Sequence, residues 1–120
     1  MKTDDAHKPM MAALGRIPSG LFILTLAHGG RATGMLASWV QQCSFQPPLL
    51  SMAVQSKRAV AALLVPGAHF TLNILESSQT DMIAHFGKGF SLEEDAFLDL
   101  DVRPAPEHGP ILTEALAYLE

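Results

Sequence analysis

Gly34 to Leu49 read GMLASWVQQCSFQPPL. A glycine feeds the apolar run MLA, which passes into a Ser/Trp/Gln cluster and closes on a double proline. Trp39 offers a broad apolar face. Ser38, Gln41, Gln42 and Ser44 set short hydrogen-bonding groups beside it, the mixture that lines small-molecule pockets. A flat aromatic ligand suits such a wall. Taken singly, each residue also fits a half-buried strand ending in a surface loop, since Ser and Gln are commonest at the surface. The signal lies in the whole string.

Upstream, Leu21 to Ala27 (LFILTLA) is apolar at both alternating parities, so this strand is expected to be covered on both sides, as in a barrel wall that also meets a partner. Gly29-Gly30 makes a hairpin turn. The next strand begins near Ala32 and runs into the quoted stretch. Leu49 to Val54 supplies a third strand after Pro47-Pro48 enforces an extended entry. Three consecutive strands with short connections predict an antiparallel meander. Phe70 to Leu75 alternates, with Phe70, Leu72 and Ile74 on one side and His69, Thr71 and Asn73 on the other. One side then faces a core, the other a pocket, a partner or solvent.

Three short helices complete the pattern. Lys8 to Gly15 carries Met10, Met11 and Leu14 at helical spacing, with Gly15 as its stop. Ala59 to Val65 is ended by Pro66-Gly67. Asp81 to Phe86 takes Ser78 or Thr80 as cap and Gly87 as stop. The residues through about His7 read as a polar tail, and Ser91 to Gly109 as a long acidic, Pro-rich loop with brief extended pieces. No repeat, low-complexity linker or domain boundary interrupts the chain.

With 120 residues the chain is one domain, able to bury about two thirds of its unfolded surface. Apolar residues make up 48% and charged residues 17%, which leaves little surface to be kept wet by charge and points to a homodimer. The net charge of −4, without a Lys/Arg run, argues against nucleic-acid binding. Half of the carboxylates, Glu93, Glu94, Asp95, Asp99, Asp101 and Glu107, fall in one late segment, while Lys57, Arg58 and Lys88 dominate the middle. No apolar run approaches the length of a membrane span, and none follows a basic start as in a signal peptide. A lone Cys43 makes no internal disulfide, so a reducing cytoplasm is the expected compartment. Cys43 is expected to pack as a small hydrophobe, or else to line a ligand pocket. His28, His69 and His85 lack metal-ligand spacing and nothing pairs Cys43 with a base, so neither a metal site nor a catalytic nucleophile is indicated.

A second chemically loaded spot is Gln55-Ser56-Lys57-Arg58, where a strand gives way to the Ala/Leu-rich helix. Free N–H groups of a first helical turn, the positive end of the helix dipole and two cationic side chains converge on an anion in such a place. Alternatively, Ser56 is only an N-cap and the cations are solvated surface. Ser77, Ser78, His85, Phe86 and Lys88 read as ordinary cap, core and surface residues.

In order along the chain, ALGRIPSGLFILT, GMLASWVQQCSFQPPL, SKRAVAALL, HFTLNILE and PILTEALAYLE resemble successive landmarks of the flavin reductase-like, FMN-binding split-barrel family. The wording ALGRI, MLASWV, LNILE and ILTEALAYLE is especially similar to the flavin reductase module of cyanobacterial diflavin flavodiiron proteins. The resemblance implies a mainly β fold, an antiparallel split β-barrel with short peripheral helices, usually a homodimer. It implies an FMN-binding flavoprotein (FAD being possible), reduced by NADH or NADPH: a flavin reductase or an electron-transfer module serving a redox partner protein. By position it assigns Ser38, Trp39, Val40 and Gln41 to the flavin ring and ribityl chain, with Ser44 in the same wall. Ser56, Lys57 and Arg58 match its phosphate-binding turn, and Asn73 braces the site. Hydride chemistry belongs to the cofactors, so no side chain is assigned as catalytic. The resemblance implies that the nicotinamide approaches the exposed flavin face, and no separate G-x-G-x-x-G fingerprint is present.

Members of this family run on past the equivalent of ALAYLE into further strands, including a Gly-Asp-His segment. Residues 1–120 are thus expected to be a single domain lacking its late strands, with Leu116, Tyr118 and Leu119 presented to a missing neighbour. Such a form is expected to bind flavin more weakly and to turn over NAD(P)H more slowly than a longer one. The alternative function is a non-catalytic split-barrel module holding flavin, haem or pyridoxal phosphate.

Overall fold

The computed structural model of the protein describes residues 7–120. All but His7 of the expected polar tail lies outside the described residues. The elements run α1 (Lys8–Leu14), β1 (Phe22–His28), β2 (Arg31–Ala37), β3 (Val40–Phe45), β4 (Pro48–Met52), α2 (Ala59–Leu63), β5 (Thr71–Ile74), α3 (Thr80–Gly87), β6 (Val102–Arg103), β7 (Ile111–Leu112) and β8 (Ala117–Leu119). The architecture is mainly β and antiparallel with short peripheral helices, as the sequence predicts. Among the described residues the strands form separate sheets and do not close into one barrel.

A four-stranded sheet in the order β2-β1-β5-β8 organises the chain. The β1–β2 hairpin pairs Phe22 with Ala37 through to His28 with Arg31 across the Gly29-Gly30 turn, and β5 lies on the other edge of β1 with Ile23 opposite Asn73. Each face of this sheet carries its own core. On one lie Ile23, Leu75, Met82, Phe86, Ala96 and Leu112. On the other lie Leu24, Met35, Ala37, Val60 and Leu72. Here α3 contributes Met82 and Phe86 and α2 contributes Val60. Complete burial of side chains such as Ile23, Leu24 and Phe86 contributes roughly 1.5–3 kcal/mol apiece. The doubly apolar pattern of β1 is therefore satisfied inside one chain, without a partner.

The polar side of β5 faces the chain's own late segment. The Thr71 hydroxyl donates to the carbonyl of Gly109 (3.0 Å) and the Thr25 hydroxyl to that of Pro110 (2.6 Å). Asn73 donates through Nδ2 to the Ile23 carbonyl and accepts the Leu112 N–H at Oδ1, both at 3.0 Å. Thr25, Thr71 and Asn73 are fully buried, so these bonds match the desolvation each group undergoes. They fasten residues 109–112 across the first face.

The expected meander is replaced by two hairpins. β2 ends at Ala37, and β3 pairs with β4 in a ribbon of their own, from Val40 opposite Met52 to Phe45 opposite Pro48. A bulge shifts its register between Gln42 and Ser44. Helix α2 stops at Leu63, two residues short of expectation, and its N-cap is Arg58, not Ser56. For α3 the N-cap is Gln79, and neither Ser78 nor Thr80 takes that position. Instead, the Gln79 side chain accepts the Glu76 N–H (2.8 Å) and donates to the Glu114 carbonyl (2.7 Å), tying the helix to the segment before β8.

Candidate functional site

Between β2 and β3 the chain leaves the sheet at Ser38 and Trp39. The Trp39 carbonyl accepts the Ala53 N–H at 3.0 Å, which anchors the backbone, while the indole stands 72% exposed. Two grooves share this corner. One, of about 610 Å³, is lined by Ile17, Ser38, Trp39, Val40, Gln41 and Met52, among others. The other, of about 350 Å³, runs from Ser38 and Trp39 past Val54 and Gln55 to Arg58. An apolar plate, a hydroxyl, an amide and a guanidinium thus border one continuous corner. That donor set fits a flat ring with an anionic tail: the plate for the ring, the polar groups for its edge and the cation for the tail.

Of the residues singled out in the sequence, Ser38 and Trp39 share a groove with Arg58, while Val40 and Gln41 line the adjoining one. Ser44 lies past the bulge in β3, outside both grooves, where its carbonyl accepts the Gln42 side-chain amide at 3.2 Å. Ser56 and Lys57 form the exposed turn before α2, and only Arg58 reaches the groove wall. Helix α2 has five residues, too few for a substantial dipole. The electrostatics of this end therefore rest on the guanidinium. Asn73 braces the sheet and lines neither groove. Cys43, expected to be buried, is exposed on the β3–β4 ribbon, which meets the second core only at its Val40–Met52 end.

Two contributions escape local sequence reading. Leu14, Ile17, Pro18 and Ser19, from the lead-in to β1, form one bank of the larger groove. Leu14 and Ile17 are exposed there, and their apolar residue type is the one signal the sequence holds for them. Gly89, after α3, lies against the Arg58 side chain: a Cβ built there would stand 2.5 Å from Nη1. Nearby, Lys88 sits with Nζ 5.6 Å from the centre of the Phe90 ring. The Glu94 carboxyl is held below the usual carboxylate range, chiefly by the Ser91 N–H it accepts at 3.0 Å and less by the charge of Lys88. Among the described residues no group of three or more His, Cys, Asp or Glu is placed to hold a metal ion, and no helix is long and apolar enough to cross a membrane.

Residues 14–120 match the flavin reductase like domain family. Diflavin flavoprotein A 1 of Synechocystis sp. strain PCC 6803 is 45% identical over 109 residues, which cover 90% of this chain and 19% of that protein. The chain spans about a fifth of the length of the curated relatives it matches. Among solved structures, the NADH:FAD oxidoreductase of Streptomyces globisporus C-1027 superposes with a TM-score of 0.82 at 22% identity, covering 99% of this chain and 72% of that one. A second structure of that enzyme is a complex with NAD and FAD fragments. Nitrilotriacetate monooxygenase component B from Mycobacterium thermoresistibile gives a TM-score of 0.75 at 29% identity, over 94% of this chain and 62% of that one. These likenesses identify the fold as the flavin reductase split barrel.

Proposed function

The chain belongs to the flavin reductase-like domain family, and we propose that it is an FMN-binding module that accepts electrons from NADH or NADPH and passes them on, as a flavin reductase or to a redox partner protein. One observation carries this reading: Arg58 borders the same groove as Ser38 and Trp39, so a ring wall and a cation lie within one ligand's reach. Trp39 and Val40 offer apolar surface to the ring. Ser38 and Gln41 bond its edge and the ribityl hydroxyls. Arg58 holds the phosphate, with Ser56 in the exposed turn offering a hydroxyl donor and Lys57 adding to the positive field. A flavin bound there supplies the two-electron chemistry. The protein's part is to orient the ring, leave one face open to a nicotinamide and neutralise the phosphate. Support for nicotinamide as the reductant comes from the Streptomyces globisporus enzyme, solved with NAD and FAD fragments. A cytoplasmic location suits a module that depends on nicotinamide nucleotides and carries a free thiol.

Titrating FMN against riboflavin tests the assignment. A charge-assisted phosphate contact favours FMN by roughly 1.5–3 kcal/mol, and Arg58→Gln removes most of that preference. Equal affinities for the two flavins in the unaltered protein would refute the phosphate role. Adding NADH or NADPH without oxygen then bleaches the visible flavin band. A flavin that binds and stays oxidised identifies a non-catalytic binding module instead.

A further inference from the structure

We propose that Gly89 is a positioning residue that seats the Arg58 guanidinium for anion recognition, an inference that rests on the phosphate role of Arg58 proposed above. Arg58 is half-buried, yet its side chain makes no hydrogen bond or ion pair among the described residues. A guanidinium has five N–H donors and ordinarily finds a carboxylate or carbonyl when drawn from water. Here its backbone N–H bonds the Gln55 carbonyl at 3.0 Å while every side-chain donor stays uncommitted. Shape, not pairing, holds it in place.

That shape comes from the turn after α3. Phe86, fully buried, fixes the helix end in the first core; Gly89 then returns its N–H to the Phe86 carbonyl at 3.3 Å. Gly89 has φ +81, and its missing side chain is the space the guanidinium uses: a Cβ would lie 2.5 Å from Nη1 and 3.8 Å from Cζ of Arg58. Any larger residue pushes the guanidinium off its seat. Positioning from a segment 31 residues downstream, with no hydrogen bond to the guanidinium, leaves the whole donor set of Arg58 directed at a ligand. The consequence is selective, because only the anionic end of a ligand senses it.

The test compares FMN and riboflavin binding, by quenching of flavin fluorescence, in the full chain and in Gly89→Ala, Gly89→Asn, Arg58→Gln and the double variant Gly89→Ala/Arg58→Gln. Both Gly89 variants are expected to lose roughly tenfold or more in FMN affinity, about one charge-assisted hydrogen bond, with riboflavin affinity unchanged. In the Arg58→Gln background, Gly89→Ala is expected to cost nothing further. Asn adopts positive φ more readily than Ala, so Gly89→Asn keeps the comparison open if the alanine variant does not fold. Gly67→Ala controls for backbone strain, since Gly67 has φ +85 with open space around it; it is expected to keep the FMN preference. If Arg58→Gln abolishes the FMN preference while both Gly89 variants retain it, the positioning role is overturned and the phosphate role stands. Equal loss of both flavins in the Gly89 variants marks a merely structural glycine and also overturns the proposal. If the unaltered protein does not prefer FMN, the phosphate role fails and this inference with it.

Discussion

Thr33 is fully buried in β2, and its hydroxyl meets no hydrogen-bond partner among the described residues. It lies on the same side of the strand as Met35 and Ala37, within the apolar second core. An orphaned buried hydroxyl costs about 1–3 kcal/mol. Thr33→Val is therefore expected to stabilise the protein by about 1 kcal/mol, read as a higher urea midpoint at unchanged slope. A lower midpoint would show that the hydroxyl does have a partner. Thr25 and Thr71, alike in residue type and strand position, are satisfied by carbonyls of the 109–110 segment. Nothing local in the sequence separates these three threonines, because the acceptors lie 85 and 38 residues away. The ring wall is the opposite case. Ser38, Trp39 and Gln41, proposed to face the ring, are neighbours in the chain, so their place on one groove is legible in the sequence, whereas the contact of Arg58 with Gly89 exists only after folding.

Strand β1 and the segment 109–112 depend on each other through one close approach. Gly109 has φ +124, and a Cβ there would stand 2.5 Å from the carbonyl carbon and oxygen of Thr25 and 2.6 Å from the Leu26 nitrogen. Backbone of a central strand cannot yield. Gly109→Ala is expected to cost about 3 kcal/mol or more, the upper end for a single substitution, measured by urea unfolding beside Gly29→Ala, whose surroundings are open. Similar losses in the two variants would show that backbone conformation, not the contact, matters. Where elements have a strong period or a turn of fixed chemistry, the sequence reading places them well: β1, the Gly29-Gly30 turn, β5 and α1. It misses the break at Ser38-Trp39 because MLASWV holds neither glycine nor proline and Ser38 is its one polar residue, so only packing decides that β3 leaves the sheet. It overextends α2 because Pro66 disfavours helical backbone at Val65 and Leu64 has already turned to ψ 72.

The β3–β4 ribbon is exposed along nearly all its length, with Phe45 86% and Leu49 50% accessible. Met10, Met11, Leu14 and Ile17 add apolar surface from α1 and the turn after it. An isolated two-stranded ribbon is marginally stable in water, and apolar surface of this extent marks an association site. A homodimer is thus expected, supported by the ribbon rather than by β1, whose faces are both covered within the chain. Light scattering at micromolar concentration should give twice 12.9 kDa, and Phe45→Asp should shift the protein toward monomer; a lone 12.9 kDa species in the unaltered protein would rule the dimer out. The sheet with a core on each face also has a cost during synthesis. FILTLA is apolar, uncharged and free of proline, the profile of an aggregation-prone segment. The Thr25 hydroxyl within it meets its acceptor only 85 residues later. At roughly 5–20 residues per second, that leaves the first face of β1 without its last cover for roughly 4–17 s on the ribosome. The strand best sheltered in the finished protein is thus left partly uncovered in the nascent one, and chaperone dependence should concentrate there.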